Sequence, residues 1–224
     1  MNRPLSYFYH ICFRRFFNKR LMKIVIGFEN IPKSNMIVAS NHQSHMDQLI
    51  TGYVCAPKPY RYIGQTDKYS GLARLIRNFL YFTHGTIPIN RKDERSKKEA
   101  IEKAIRALKK GDSIVMYPEG TRSKTGELQE GKQGVAKLFL RTGVPILPLG
   151  IKGTAELMPI GKTYPKIEKK VELNIGKPLY FEKEFKEAQN LDENSPRYQE
   201  IAKEITEKVM QEIANLLDPL NKIK

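Results

Sequence analysis

Between residues 23 and 176, short apolar runs alternate with stretches of helical period, and this restricts the chain to few architectures. Lys23-Ile24-Val25-Ile26, Met36-Ile37-Val38-Ala39, Tyr60-Arg61-Tyr62-Ile63 and Thr86-Ile87-Pro88-Ile89 read as strands, as does Ser113-Ile114-Val115-Met116-Tyr117. Pro88 marks its run as an edge or a strand end. Residues 145–151 hold two prolines and read as an irregular or edge strand. Residues 171–176 alternate like a strand with one wet face. Residues 71–82 carry Leu72, Leu75, Ile76, Phe79 and Leu80 at helical spacing. Residues 93–110 are a polar helix with Ala100, Ile101, Ala104, Ile105 and Leu108 as its buried stripe, stopped by Gly111. Residues 132–141, closed by Gly143, and 196–217 complete the helices. There is no internal repeat, and the alternation predicts one α/β domain.

Asn41-His42-Gln43-Ser44-His45-Met46-Asp47 follows the second apolar run. A histidine and an acid thus stand at a strand exit, where α/β enzymes place their chemistry. In a continuous helix, residues five apart diverge by roughly 140°. His42 and Asp47 therefore meet only if His42 lies in a turn and the helix begins near Ser44 or His45. Ser44-x-x-Asp47 also fits a capping box. Asp47 has two competing roles: bonding the Ser44 amide, or holding the His42 ring. A capped helix with a solvated histidine is the plain alternative. His42 and His45 have a spacing that can suit a metal, but no cysteine or further histidine nearby completes a ligand set, so no metal is expected.

Pro118-Glu119-Gly120-Thr121-Arg122-Ser123 follows the most strand-like run. Gly120 lets the backbone approach a ligand closely. Thr121, Arg122 and Ser123 offer hydroxyl, guanidinium and amide donors, and such a loop can grip a phosphate. An ordinary surface loop fits equally well by itself.

The partner class follows from charge. Lys and Arg number 39 against 24 Asp and Glu, a net +15. That excess predicts an anionic partner: nucleic acid, a phosphorylated substrate or an anionic bilayer. Residues 5–23 are aromatic and basic. Leu5, Phe8, Tyr9, Cys12, Phe13 and Phe16 share one helical face, with Arg14, Arg15, Asn18 and Lys19 largely off it. This pattern predicts an interfacial anchor, residues 1–22, followed by one folded domain, residues 23–224. A helix docked on the domain is the competing reading. No apolar stretch is long enough to span a bilayer, and Arg14 and Arg15 interrupt any signal peptide. Cys12 and Cys55 form no motif. The expected location is peripheral, on the cytoplasmic face of the cell membrane.

Taken together, the segments resemble the glycerolipid acyltransferases, the family that includes bacterial 1-acyl-sn-glycerol-3-phosphate acyltransferase. Asn41-His42-x-x-x-x-Asp47 matches the NHxxxxD motif. Residues 85–91, Gly-Thr-Ile-Pro-Ile-Asn-Arg, match G-x-I-x-[IV]-x-R. Residues 117–123 match [FY]PEGTRS, and residues 144–148 match VPI-[VIL]-P. Four motifs in order form a specific combination, although each is weak alone. The resemblance implies a mixed, mostly parallel sheet flanked by helices. It implies transfer of an acyl chain from an acyl carrier protein or coenzyme A thioester to the sn-2 hydroxyl of lysophosphatidate, with no cofactor. By the same resemblance His42 is the general base and Asp47 fixes its tautomer. Glu119, Gly120, Thr121 and Arg122 hold the phosphate side of the acceptor, Glu119 by orienting the arginines. Arg91 supplies a second guanidinium, and Pro145 and its neighbours shape a pocket.

The chain departs from the family in two places. Gln65 stands where many members carry the lysine of A-K-x-E-L, with Lys68 as a candidate substitute. The N-terminal region is also shorter than in many relatives. Glycerol-3-phosphate or another lysolipid is therefore an alternative acceptor. A nucleic-acid binder is the alternative of a different class. It would need clustered basic and aromatic residues on one platform, whereas the lysines here are spread out, so no nucleic-acid partner is expected.

Overall fold

The computed structural model describes residues 14–65, 75, 85–162 and 164–221. The apolar runs become β1 (Met22–Ile26), β2 (Ile37–Ser40), β3 (Tyr60–Gln65), β4 (Ile87–Ile89), β5 (Ser113–Met116), β6 (Ile146–Lys152) and β7 (Val171–Ile175). They form one sheet in the order β1-β7-β6-β2-β5-β3-β4. Neighbours from β6 to β4 pair parallel. β7 is antiparallel to β6, and β1 is parallel to β7. Five strands therefore exit at one edge of the sheet, and β1 and β7 enter there.

The helices are α1 (Met46–Cys55), α2 (Glu94–Lys109), α3 (Gly134–Thr142), α4 (Thr154–Leu157), α5 (Glu182–Ala188) and α6 (Pro196–Asn221). Residues 14–20 are also helical. Crossovers between parallel strands put helices on both faces of a sheet. On one face α2, α3 and α6 bring Ala104, Ile105, Leu138, Ile205 and Val209 onto Ile37, Ala39 and Ile114. On the other, Ile50, Val54, Phe17 and Leu157 pack on Val38, Val115, Leu147 and Leu173. With both faces covered, a central strand such as β2 reads as a continuous apolar run rather than an alternation.

Cap chemistry sets the helix bounds. Asp93 caps α2 by accepting from the Arg95 amide at 2.9 Å. Gly143 closes α3 with φ +65°, a conformation glycine adopts without penalty. The expected 71–82 helix, apart from Leu75, and the residues before Arg14 lie outside the described residues.

Two expectations are corrected. β6 is not an edge strand; it lies between β7 and β2. The carbonyl of Pro148 points toward β7 and accepts from the Gly176 amide at 3.0 Å. Its missing N–H falls on that same side, where β7 has already ended, so the ladder to β2 is intact. β7 likewise has no wet face, because all five residues are buried. Its polar positions are paired instead: Glu172 with Lys23 at 2.7 Å, and the Asn174 amide with the Leu216 carbonyl of α6 at 3.0 Å. β4 does occupy the sheet edge, as Pro88 predicts.

Candidate active site

The site is assembled from turns at the exit edge. β2 ends at Ser40 and α1 starts after His45, so residues 41–45 form a turn rather than helix. That turn removes the divergence a continuous helix would impose. His42 Nδ1 lies 2.8 Å from Asp47 Oδ2, and both residues are buried. The same Asp47 oxygen accepts from the Gln43 amide at 2.7 Å and the Ser44 amide at 2.8 Å. The two roles weighed for Asp47 are thus filled by one atom. Its other oxygen, Oδ1, is buried and has no hydrogen-bond partner among the described residues. The carboxylate sits in the first turn of α1, where the helix dipole favours negative charge.

The turn is fixed from outside as well. The side chain of Asn41 donates to the Ile151 carbonyl and accepts from the Ile151 amide, each at 2.8 Å. This pins the turn to the exit of β6. Ser44 Oγ donates to the Met158 carbonyl at 2.7 Å.

Glu119 lies just beyond β5, the neighbour of β2. Its Oε1 accepts from the His42 amide at 2.7 Å and its Oε2 from the Gln129 amide at 3.0 Å. Both of these bonds come from backbone, and they make the carboxylate a strut between the histidine turn and its own loop. Burial pushes its carboxyl above the usual range, and the two amides and His42 oppose that shift. The loop returns to the turn twice more. The Ser123 amide donates to the His42 carbonyl at 2.7 Å, and Gln43 Nε2 to the Gly126 carbonyl at 2.8 Å. Arg122 precedes Ser123 in sequence, so it leaves the backbone next to the histidine turn.

Gly120 has φ +74°. A Cβ there would come within 3.1 Å of Lys132 Nζ, so an ammonium lies against this turn. The Lys132 amide also donates to the Pro118 carbonyl at 2.9 Å. Lys132 is a cation that the motifs do not point to; the only signal is its place after Gly131, just before α3. Thr121 is exposed, with Oγ1 3.4 Å from Gln129 Oε1.

β5 itself ends at Met116, whereas in the sequence Tyr117 reads as the last residue of that strand and as a motif position. Its ring stacks on the His42 imidazole, with centroids 3.9 Å apart and planes 11° from parallel. Its hydroxyl lies 3.3 Å from Thr51 Oγ1. Burial, and then the Asp47 charge, push the phenol well above its usual range, so the ring stays neutral.

Arg91 follows β4, half-buried, at the same edge. Three strand spacings separate β4 from β2, about 14 Å in all. A long guanidinium side chain can close much of that gap. Gln65 ends β3, between the two loops. Lys68 lies outside the described residues. Among the described residues, no three or more His, Cys, Asp or Glu are grouped to hold a metal, and no helix is long and apolar enough to cross a membrane.

A family model described as Acyltransferase matches residues 23–152, more than half of the chain. The chain belongs to the acyltransferase family. The match runs from β1 to the end of β6, so it contains the histidine turn and the loops that face it. A chloroplastic 1-acyl-sn-glycerol-3-phosphate acyltransferase from Brassica napus is 33% identical over 157 residues, covering 69% of this chain and 44% of that one. The enzyme of that name from Borreliella burgdorferi is 40% identical over 132 residues, covering 58% and 51%. The chain thus spans about half the length of the curated relatives it matches. A crystal structure of the 1-acyl-sn-glycerophosphate acyltransferase from Thermotoga maritima aligns with a TM-score of 0.60 and 26% identity, over 90% of this chain and 78% of that one. The two proteins therefore share a fold over most of this chain's length.

Proposed function

We propose that this chain transfers an acyl group from an acyl carrier protein or coenzyme A thioester to the sn-2 hydroxyl of lysophosphatidate, giving phosphatidate. The observation that carries the reading is the 2.8 Å bond between His42 Nδ1 and Asp47 Oδ2, laced through Glu119 and Ser123 to the phosphate-type loop. With Nδ1 engaged, Nε2 is the nitrogen left to act. It takes the acceptor's hydroxyl proton as the oxygen attacks the thioester carbonyl. The tetrahedral oxyanion collapses, the C–S bond breaks, and the imidazolium returns the proton to the leaving thiolate. The acyl chain never passes through the enzyme. While charged, the imidazolium lies between the Asp47 carboxylate and the π face of Tyr117, and both favour it.

The acceptor's phosphate is gripped by Arg122, Thr121, the Gly120 backbone and Lys132, with Arg91 closing from β4. Lys132 supplies a cation that Gln65 does not. Glu119 orients the loop and the His42 amide. No cofactor enters the scheme.

Placement at an anionic membrane surface is supported by the helix at 14–20. Phe17 is buried against Tyr53, whereas Phe16 is exposed and Arg15, Lys19 and Arg20 face solvent. One side of this segment docks, and the side carrying Phe16 is left for the interface. The division into an anchor at 1–22 and a catalytic domain at 23–224 belongs to this proposal, as does the cytoplasmic face.

Incubating the protein with an acyl thioester and a panel of lysophosphatidate, glycerol-3-phosphate and other lysolipids tests the reading. Turnover is expected to be fastest on lysophosphatidate and lost in His42→Ala. A preference for glycerol-3-phosphate would replace the acceptor assignment. Normal turnover by His42→Ala would remove the base.

A further inference from the structure

We propose that residues 158–162 and 164–170, between α4 and β7, form a second lipid contact that holds the histidine turn against an anionic bilayer. The inference deepens the functional reading and rests on its claim that the acceptor is a membrane lipid. Among the described residues, seven large hydrophobic side chains are exposed, and three of them fall in this one loop. They are Ile160 at 42%, Tyr164 at 84% and Ile167 at 51% exposure. Clustered apolar exposure on a folded chain marks a contact surface.

Charge selects the partner. Lys162, Lys166, Lys169 and Lys170 lie among these side chains, with Glu168 as the loop's single acid. Lys170 is held by Glu156 at 2.9 Å and by Glu168 at 3.7 Å. The other three lysines are exposed and form no ion pair among the described residues. Aromatic and aliphatic groups interleaved with lysines suit a headgroup layer, where rings settle at the interface and ammonium groups meet lipid phosphate.

The fold puts this loop beside the chemistry. It leaves the exit end of β6 and returns into β7, whose antiparallel direction makes its start lie at the same edge. Its base is fixed: the Lys166 amide donates to the Leu157 carbonyl at 2.8 Å. The Met158 carbonyl takes the hydroxyl of Ser44, the residue whose amide bonds Asp47. A bilayer that receives Ile160, Tyr164 and Ile167 therefore lies against a loop bonded to the histidine turn.

The chain has no tryptophan, so Tyr164→Trp in the full chain gives a single reporter. With vesicles of phosphatidylcholine and phosphatidylglycerol in equal parts, its emission is expected to shift blue and to be quenched by lipids brominated on the acyl chain. The variant Ile160→Ser/Tyr164→Ser/Ile167→Ser is expected to bind these vesicles roughly tenfold more weakly. It should keep its turnover of a short-chain acceptor in free solution. Lys162→Gln/Lys166→Gln/Lys169→Gln should lose the preference for these vesicles over pure phosphatidylcholine. The proposal is overturned if the new tryptophan keeps its solvent-exposed emission while the protein sediments with vesicles, or if the triple serine variant binds like the unmodified protein. Tryptophan insertion without any turnover of the soluble acceptor would leave the lipid contact standing and remove the catalytic reading instead.

Discussion

The turn that holds His42 and the loop that faces it are built on different plans. In the turn, Asn41, Ser44 and Asp47 are buried and bonded to backbone, and each contact comes from within the protein. In the loop, Glu119 and Ser123 are buried at the base, while Thr121, Lys124, Thr125 and Glu127 are exposed. The contrast separates two tasks. Proton transfer needs a base already in place, because misplacement of about 1 Å is costly in rate. A phosphate grip needs donors whose partners are absent until the ligand arrives. Mutations in the turn should therefore act on kcat, and those at the loop tip on the acceptor KM.

The largest effect belongs to the turn. His42→Ala should cut kcat by about 10³-fold, within the range for loss of a positioned base, with circular dichroism unchanged. Asp47→Asn should follow at about 10²-fold. Asparagine can offer its one oxygen to the three donors now shared by Oδ2, but it loses the charge that favours the imidazolium and leaves an amide NH2 buried without an acceptor where Oδ1 stands. An Asp47→Asn enzyme with normal kcat would reduce that carboxylate to a helix cap.

Glu119 sits where the two plans meet, and it sharpens the comparison. Glu119→Ala leaves the buried His42 amide without its acceptor, whereas the amide of exposed Gln129 can turn to water. The orphaned His42 amide costs about 1–3 kcal/mol, so thermal denaturation should show a clear fall in Tm together with a lower kcat. Arg122→Ala, at the loop tip, should leave Tm within error and raise the acceptor KM roughly 10- to 100-fold, as loss of a charge-assisted bond worth about 1.5–3 kcal/mol would. If Arg122→Ala lowered Tm as Glu119→Ala does, the loop would be a structural element throughout.

Gly120→Ala is expected to be milder. The position has φ +74°, which costs a residue with a Cβ about 1–2 kcal/mol. The added carbon would also press on Lys132 at 3.1 Å. A modest loss of stability with a few-fold rise in acceptor KM is the expected result of steady-state assays. An unchanged KM would take Lys132 out of the phosphate site.

The parts of this architecture that the sequence made readable are those that depend on neighbours in the chain. The strands from β1 to β5 were visible because each is a short apolar run bounded by a breaker. Asp93, Gly111 and Gly143 announced helix ends because caps are local chemistry. His42 and Asp47 were readable as a pair only on the condition that the helix started late, and the turn meets that condition. What depended on distant packing stayed hidden. Pro148 argued for an edge because a missing N–H is usually tolerated only there; nothing local showed that β7 stops short of it. Glu172 and Asn174 read as wet because their partners, Lys23 and Leu216, are far away in sequence. The stack of Tyr117 on His42 and the approach of Lys132 to Gly120 were hidden for the same reason: they join segments brought together only by the order of the strands.

The smallest expected effect tests the strut itself, through its protonation. Burial raises the Glu119 carboxyl above 4.5, and the amide donors do not cancel that rise. A carboxyl whose pKa is higher in the folded than in the unfolded chain binds its proton more tightly when folded. Its contribution to stability is fully present below pH 4.5 and is lost as pH rises through the elevated folded value. Most paired carboxylates behave in the opposite sense. Glu119→Gln removes the titration while keeping the shape, so the stability of the unmodified protein relative to this variant should fall as pH rises from 4.5 toward neutrality. Urea unfolding of both proteins across that window reads the difference directly. A difference that grows with pH would mean that the His42 and Gln129 amides outweigh burial, and that the ionised strut is the form the fold prefers.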